Sequence, residues 1–336
     1  MPRIARLKFS DPEDGSYHII ARTIMRNDFL LEEGEKEYLL NLMKDLSQVY
    51  FVKIQSFCIL SNHFHLICQM IPSAKISDDE LKERFRLYYN EGKPIKQHRK
   101  LLKSEHAAFR KRFGDISKFI GDLKQRFSRW YNKKHNNHGH FWSERFKSLL
   151  LYGNRALLSC MLYVELNAIR AGMVKRPEDY RYSGLYHLIT GGRAAEWLDL
   201  KTIRHLITRW DNIKESARLT YRDILIRYLK LIYQEGMIER KRKTTIKQEE
   251  GDKSISSDFA GSHLLSFTRR IRYFSDGLIL GSKEYCESKF RGCKSYFRTK
   301  KDRTAKKLRV RYKNRYVSAP EGHLLDLHTI RTYCLE

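Results

Sequence analysis

The segment Leu60-Ser61-Asn62-His63-Phe64-His65-Leu66-Ile67 places two histidines one residue apart at the start of an apolar run. Side chains alternate across a β-strand, so His63 and His65 are predicted to share one face while Phe64 and Leu66 point to the other. Two imidazoles on one face can hold one divalent metal ion and leave its other positions open. The alternative is an ordinary pair of sheet histidines, because thirteen histidines in 336 residues produce such a spacing by chance.

A second pair, His138 and His140, lies in the turn-like run Asn-Asn-His-Gly-His at residues 136–140. Its spacing is the same, but its surroundings are polar rather than apolar. We consider it as a rival metal site, which would suit a hydrolase, and as a pair of ordinary loop histidines.

The charge of the chain indicates a polyanionic partner. Sixty-six Lys and Arg against thirty-nine Asp and Glu give a formal net charge of +27, which is typical of proteins that bind nucleic acid or an anionic membrane. No apolar run is long enough to span a bilayer, and the N-terminal residues do not resemble a secretion signal. We therefore expect a nucleic-acid partner, no membrane, and a cytoplasmic, nucleoid-associated location. The six cysteines form no CxxC pair and are expected to be reduced packing residues.

Hydrophobic periodicity predicts an α+β fold. Alternating apolar residues predict strands, and apolar residues at helical spacing predict amphipathic helices. The predicted elements are a strand at 16–23, a helix at 34–50, strands at 51–60 and 62–70, a helix at 115–133 and a strand at 140–151. This β-α-β-β-α-β order is that of a ferredoxin-like antiparallel sheet with helices on one face.

A polar and basic stretch at residues 72–113 interrupts this order and is interpreted as a helical insertion. After the fourth strand, Asn154 is the expected N-cap of a helix that runs to Ala171, with Gly172 at its C-terminal cap. Tyr163 and Asn167 lie one turn apart on this helix and can address the same small target. Taken alone, Tyr163 would be interpreted as a packing residue, because the chain has twenty tyrosines.

The sequence changes character after residue 186. Further helices are predicted at 197–210 and 221–238, and the polar run 241–258 reads as a linker. Residues 261–290 are interpreted as helix, turn, helix, which leaves open a helix-turn-helix DNA reader. Thirteen Lys or Arg between residues 289 and 315 indicate a phosphate-binding tail, with a solubilising role as the alternative. We thus divide the chain into residues 1–187, a helical extension and linker at 188–250, and a basic, helical nucleic-acid-binding region at 251–336.

Three motifs together resemble the single-tyrosine HUH transposases, in particular the REP-associated tyrosine transposases. They are Ser61-Asn62-His63-Phe64-His65, Gly139-His140-Phe141-Trp142-Ser143-Glu144-Arg145-Phe146-Lys147-Ser148, and Tyr163-Val164-Glu165-Leu166-Asn167-Ala168-Ile169-Arg170-Ala171-Gly172. The trailing Pro177-Glu178-Asp179-Tyr180-Arg181-Tyr182-Ser183 also fits, and the resemblance covers roughly residues 10 to 187. The chain departs from the family at Ser61 and Ala168, which replace the usual prolines.

The resemblance implies a transposase that cuts and rejoins single-stranded or hairpin DNA through a 5′-phosphotyrosine intermediate. It implies Tyr163 as the nucleophile and His63, His65 and Asn167 as the ligands of Mg²⁺ or Mn²⁺, in a monomer or homodimer. The residues expected to contact nucleic acid are Arg145, Lys147, Lys124, Arg129 and Arg170. The alternative is a catalytically silent or domesticated DNA- or RNA-binding protein on the same scaffold, since ferredoxin-like sheets also bind RNA.

Overall fold

A mostly antiparallel sheet lies at the centre of the protein, and its first four strands follow the predicted order. We describe a computed structural model, which covers residues 6–24, 30–90, 97–213, 219–236, 274, 277–294, 304–312, 315–318 and 326–331. The first elements are β1 (Gly15–Arg22), α1 (Glu33–Val49), β2 (Val52–Ile59), β3 (His63–Met70), α2 (Asp78–Tyr89), α3 (His106–Phe113), α4 (Ile116–Lys134) and β4 (Lys147–Tyr152). There follow α5 (Asn154–Glu165), α6 (Asn167–Arg170), α7 (Gly184–Thr190), α8 (Leu200–Trp210), α9 (Tyr221–Gly236), β5 (Gly277–Gly281), α10 (Lys283–Gly292), β6 (Lys306–Lys307), β7 (Arg309–Tyr312), β8 (Arg315–Ser318) and β9 (His328–Arg331).

The first four strands form the ferredoxin-like core in the order β2-β3-β1-β4, with every neighbour antiparallel. The α+β fold class is therefore confirmed. On the main sheet, β4 pairs in parallel with β5, and β9 and β6 follow at the edge. The register sets His65 opposite Ile20 and His63 opposite Arg22, so alternate residues of β1 and β3 share one face.

The two faces of the core sheet are covered by different helices. On the face that carries Phe64, α1 packs against α4, and Phe64 meets the ring of Trp142 with ring centroids 5.6 Å apart. On the face that carries the histidines, α5 crosses the strands of the core. The apolar stripe predicted for residues 115–133 is buried, and Asp115 caps α4 by accepting a hydrogen bond from the Ser117 amide at 2.7 Å.

The fourth strand is shorter than predicted. Residues 140–146 were expected to be strand, but β4 begins only at Lys147. Phe141 and Trp142 turn into the α4 side of the core instead, where the Trp142 indole donates a hydrogen bond to the Lys124 carbonyl at 3.0 Å. Burial of two large rings outweighs regular strand pairing here, and one isolated bridge between Thr23 and Trp142 is formed.

The helix predicted from Asn154 to Ala171 is interrupted. Asn154 is the first helical residue of α5 and Gly153, at φ +83°, occupies the cap position. The backbone of Leu166, at ψ 0°, leaves the α-helical range and separates α5 from the single turn of α6. Gly172 ends this region at φ +71°, as expected of a C-terminal glycine.

The C-terminal region contains strands as well as a helix. Gly277–Gly281 form β5 rather than part of a helix-turn-helix, because Ile279 and Leu280 are buried where the strand pairs with Leu150 and Leu151. The predicted linker at 241–258 and first helix at 261–272 lie outside the described residues, as does part of the basic run at 289–315. The three-part division of the chain stays a prediction.

Two further expectations concern cysteines and membranes. Cys58, Cys68, Cys160 and Cys286 are buried and unbonded, and Cys293 is half-buried and unbonded, as expected of reduced packing residues; Cys334 lies outside the described residues. Across the part of the chain that the structure describes, no helix has the length and apolar character needed to cross a membrane.

Candidate active site

The two histidines of the His-x-His pair share one face of β3, as their spacing predicts. Their ring centroids lie 5.0 Å apart with the planes inclined at 71°. His65 is buried at 2% exposure, whereas His63, at the beginning of the strand, is half-buried. The pair therefore opens toward the end of the sheet at which β3 begins.

Each imidazole has a hydrogen-bond partner at its Nδ1 atom. The Nδ1 atom of His63 lies 2.6 Å from the side-chain oxygen of Asn62. The Nδ1 atom of His65 lies 2.8 Å from Nε2 of His18, a residue of β1 on the same face. An amide oxygen only accepts, so His63 donates from Nδ1 and its Nε2 atom carries the lone pair in the neutral ring.

Tyr163, in the last turn of α5, lies beside His65 and His18 on this face. Its ring centroid is 5.8 Å from that of His65 and 6.1 Å from that of His18. The ring of Phe274 stacks on Tyr163 at 4.8 Å, and the guanidinium carbon of Arg170 lies 4.2 Å from the centroid of the Tyr163 ring. Tyr163 is only 7% exposed, so its ring is covered.

Asn167 and Arg170 belong to the short helix α6, and both are buried. Cys58 is the cross-strand neighbour of His65, and its thiol interacts with the Ala168 amide, so α6 begins over the same part of the sheet. Among the described residues, Asn167 Nδ2 and the Nε and Nη1 atoms of Arg170 have no hydrogen-bond partner. The third donor of Arg170, Nη2, donates to the Tyr163 carbonyl. Polar atoms without partners in a buried position are typical of a site that takes a ligand.

The electrostatics of the site favour neutral histidines and added negative charge. Burial lowers the pKa of His65 well below its ordinary value, and the positive charges of His63, His18, Arg22 and Arg170 act in the same direction. Burial lowers the pKa of His18 to about 3 and that of Arg170 to about 10. Neutral imidazole is the form that binds metal ions, and a buried guanidinium without a carboxylate partner attracts an anion such as a phosphate.

The donor set fits a divalent metal that is held by few protein ligands. His63 presents an Nε2 lone pair. Asn167 is buried, and its Oδ1 atom is the one that can ligate a metal, whereas its unpartnered Nδ2 atom is a donor that suits an oxygen of the substrate. Within the described ranges no group of three or more His, Cys, Asp or Glu side chains is arranged to hold a metal. The described residues would therefore supply the two histidines and an amide oxygen, which leaves positions for oxygens of the substrate.

The residues expected to contact nucleic acid fall into two groups. Arg129, Arg145 and Lys147 are exposed and Lys124 is half-buried, whereas Arg170 is covered together with Tyr163. The sequence does not distinguish the two groups, because a basic residue on a helix stripe looks the same whether the stripe faces solvent or a neighbouring element.

Two of the expected contact residues, Lys124 and Arg145, line a cavity of about 480 Å³ between α4 and residues 139–146. We refer to it as the basic cavity. It is lined by Arg6, Ser117, Gly121, Lys124, Gln125, Ser128, Gly139, His140, Phe141, Trp142, Arg145 and Phe146. Burial and then the charge of Arg145 lower the pKa of Arg6 to about 10, and burial followed by the charge of Arg6 lowers the pKa of Lys124 to about 8. Cations crowded beside aromatic rings suit a phosphate with its attached base.

The rival pair His138 and His140 is exposed on the connection between α4 and β4. His140 lines the basic cavity, and the pair belongs to no group of metal-binding side chains in the described parts of the chain. The ring contact of Tyr163 is with His65 of the first pair.

Sequence reasoning missed three residues of these sites. His18 lies in a predicted strand, and its placement on the histidine face could have been found by pairing β1 with β3. Arg6 and Phe274 had no such signal, because both reach their positions from segments distant in sequence. Arg6 donates to the Ser148 hydroxyl at 2.8 Å, and the Phe274 carbonyl lies 3.0 Å from Nδ1 of His18.

Comparison with known proteins agrees with the motifs. One solved structure that matches is described as a REP-associated tyrosine transposase bound to a REP hairpin, with 15% identity, a TM-score of 0.38, and coverage of 56% of this chain and 86% of that one. Identity and TM-score at this level do not support an inference about function. The curated proteins contain no match. Residues 13–114 match the family of IS200-like transposases, a range that includes both histidines but ends before Tyr163. Residues 13–114, which carry the His63–His65 motif, are thus similar to the IS200-like transposases, and the motifs at 139–148 and 163–172 lie beyond the matched range.

Proposed function

We propose that this protein cuts and rejoins single-stranded DNA, including hairpin-bearing ends, through a covalent bond to Tyr163. The observation that carries the proposal is the convergence of Tyr163, His63 and His65 on one face of the sheet, from an α-helix and a strand about one hundred residues apart in sequence. A tyrosine that only packs in the core does not require a histidine pair beside it. A catalytically silent binding protein requires neither the tyrosine nor the histidine pair.

A divalent ion, Mg²⁺ or Mn²⁺, held by His63, His65 and Asn167 would neutralise charge on the non-bridging oxygens of the scissile phosphate. A free tyrosine phenol has a pKa of about 10, so Tyr163 attacks only after it loses its proton. The nearby Arg170 guanidinium stabilises the phenolate and, in addition, offers Nε and Nη1 to an oxygen of the phosphate.

The atoms of the cleavage step balance without a further reactant. The phenolate oxygen forms a bond to phosphorus, and the bond from phosphorus to the 3′ oxygen breaks. The leaving 3′ oxygen takes up a proton as a free hydroxyl, and the 5′ side remains as a phosphodiester of Tyr163. A later 3′-hydroxyl can reverse the step and join strands without ATP, because the covalent bond conserves the phosphodiester energy.

Access to Tyr163 requires a change at Phe274. The Phe274 ring stacks on the phenol ring and is itself 1% exposed. DNA reaches the tyrosine when this contact opens, while the basic cavity and the exposed cations Arg129, Arg145 and Lys147 are accessible beforehand. We therefore expect DNA to bind first at the exposed cations and to reach the tyrosine second.

A catalytically silent DNA- or RNA-binding protein is the second candidate, and the burial of Tyr163 is the observation that favours it. Both candidates would bind nucleic acid through the basic cavity and the exposed cations, so nucleic-acid binding does not distinguish them. Covalent chemistry does, because only the transposase leaves a strand attached to the protein.

The test is incubation of the full chain with labelled single-stranded hairpin DNAs and Mn²⁺, followed by denaturing gels. We expect a labelled band at the mass of protein plus DNA that disappears with EDTA and in Tyr163→Phe. Hairpin binding in native gels without any covalent band, across a panel of hairpins, would contradict the transposase and support the silent binder.

A further inference from the structure

A chain of hydrogen bonds leads from the C-terminal part of the protein to the histidine pair. The carbonyl oxygen of Phe274 lies 3.0 Å from Nδ1 of His18, and Nε2 of His18 lies 2.8 Å from Nδ1 of His65. His18 and His65 are buried, at 1% and 2% exposure, and their rings are nearly parallel at 16° with centroids 5.1 Å apart.

The Phe274 carbonyl, at one end of this series of hydrogen bonds, fixes the direction of each of them. A carbonyl oxygen only accepts, so Nδ1 of His18 must carry its hydrogen. A neutral imidazole has one N–H, which leaves Nε2 of His18 as the acceptor and Nδ1 of His65 as the donor. The lone pair of His65 is thereby confined to its Nε2 atom.

From this geometry we infer that His18 is a positioning residue, which holds His65 in the one tautomer and ring orientation that present Nε2 to a metal ion. Partners of this kind on metal-binding histidines fix the ring and raise its basicity. The inference rests on the proposed function, because it assigns His18 a role toward the metal that the transposase reaction needs. It adds that the carbonyl of Phe274, outside the IS200-like segment, completes the site.

The other histidine of the pair, His63, also has a hydrogen-bond partner at Nδ1, but that partner is a residue of a different type. His63 donates from Nδ1 to the side-chain oxygen of Asn62, which lies next to it in sequence. His65 is deeper in the sheet, where no adjacent side chain on its own strand can reach its ring, because its neighbours Phe64 and Leu66 point to the other face. Its partner therefore comes from β1.

The first measurement is the tautomer of His65 in the full chain without metal, from long-range ¹H–¹⁵N spectra of protein labelled at histidine. We expect the proton on Nδ1 of His65 and an unprotonated Nε2. A His65 ring protonated at Nε2 would overturn the inference, whatever the protein does to DNA.

The second measurement is Mn²⁺ affinity by calorimetry for His18→Leu and His18→Gln. We expect His18→Leu to bind Mn²⁺ about 10- to 100-fold more weakly, the loss typical of removing such a partner. A glutamine can accept from His65 and donate to the Phe274 carbonyl, so His18→Gln should remain within a few-fold of the wild type. Equal affinity of the leucine variant and the wild type, or equal losses in both variants, would overturn the inference. If the leucine variant does not fold, the spectra and the glutamine variant decide.

The matched control is His187→Leu. His187 is also buried, on α7, and its two ring nitrogens have no partner among the described residues. Its removal should leave Mn²⁺ affinity unchanged. His63→Ala distinguishes a failure of the proposed metal site from a failure of the role inferred for His18. Retained Mn²⁺ affinity in that variant contradicts the proposed metal site, while the spectrum of His65 still tests the role of His18.

Discussion

The histidine face and the basic cavity differ in how far they are open to DNA. On the histidine face, Tyr163 and Arg170 are covered by packing and a phenylalanine ring lies on the phenol. The basic cavity has an open volume of about 480 Å³ and is lined by Arg6, Lys124 and Arg145 beside aromatic rings. The groups suited to chemistry are thus enclosed, and the groups suited to binding are accessible.

The difference indicates a division of labour. Desolvated groups interact strongly with charge, because the dielectric screening of water is reduced around them. Exposed cations contribute to affinity through counterion release and do so without an exact geometry. Variants at the histidine face should therefore reduce DNA cleavage while DNA affinity stays nearly constant. Variants at the basic cavity should reduce DNA affinity.

The largest effect is expected for Tyr163→Phe. The change removes one hydroxyl oxygen and leaves the ring that packs between Phe274 and Arg170. Cleavage and the covalent adduct should fall below detection on denaturing gels, while the free energy of unfolding changes by about 1 kcal/mol or less. A Tyr163→Phe protein that still forms the adduct would move the nucleophile elsewhere.

His63→Ala and His65→Ala should each abolish cleavage in Mg²⁺ and Mn²⁺ while binding of hairpin DNA in EDTA stays near that of the wild type. His65→Ala should also cost about 1–3 kcal/mol of stability, because it leaves the buried His18 without its partner. Activity on labelled hairpins and chemical denaturation measure the two effects. His138→Ala is the control, since His138 is exposed; a larger loss in that variant would assign the metal to the rival pair.

Lys124→Ala combined with Arg145→Ala should weaken single-stranded DNA binding by roughly tenfold or more, as expected when charge-assisted hydrogen bonds to phosphates are removed. The slope of log affinity against log salt should become shallower by about 0.7 for each phosphate that the variant no longer neutralises. Fluorescence anisotropy over a salt series measures both. Lys53 is an exposed lysine on β2, at the opposite edge of the core sheet, and Lys53→Ala should leave the slope unchanged. An equal effect of Lys53→Ala would show that Lys124 and Arg145 act only through the overall positive charge of the surface.

The smallest effect concerns Glu165, the last residue of α5, which is the helix that carries Tyr163. Its carboxylate accepts hydrogen bonds from the Ser56 hydroxyl at 2.8 Å and the Leu185 amide at 3.2 Å, and burial raises its pKa from 4.5 to about 7. The folded state therefore favours the protonated acid, so the stability from this group is present below pH 4.5 and is lost as pH rises through about 7.

We expect Glu165→Gln to flatten the decline of stability between pH 5 and pH 8, by roughly 3 kcal/mol at most, since one pKa unit corresponds to about 1.4 kcal/mol. Denaturant unfolding of both proteins across this range measures it. A wild type whose stability does not decline over these pH values, or a glutamine variant with the same decline, would contradict the assignment.

Local pattern was sufficient to predict the core fold. Strands β1 to β3 and helices α1 and α4 follow from residue spacing within each segment, and their boundaries agree to within a few residues. The prediction was wrong where tertiary packing outweighs local pattern. Phe141 and Trp142 leave the expected strand for the core, and Leu166 interrupts the expected helix.

The site was predictable only in part, for a related reason. The histidine spacing and the tyrosine motif are local signals. The covering of Tyr163 by Phe274 joins residues 111 positions apart in sequence, and the bond between His65 and His18 depends on strand register. Removal of residues 251–336, which the sequence predicts to be a basic nucleic-acid-binding region, also removes β5 and Phe274. We therefore expect the removal to destabilise the core sheet and the helix that carries Tyr163.

The most direct test of the account is to identify the amino acid that carries DNA after the reaction. The full chain is incubated with a hairpin oligonucleotide and Mn²⁺, the adduct is digested with nuclease and protease, and the modified peptide is sequenced by mass spectrometry. We expect a single modified peptide, with the 5′-phosphate of the cleaved strand on Tyr163. A nucleotide on another residue, or a cleaved strand that carries a free 5′-phosphate and no protein, would contradict it.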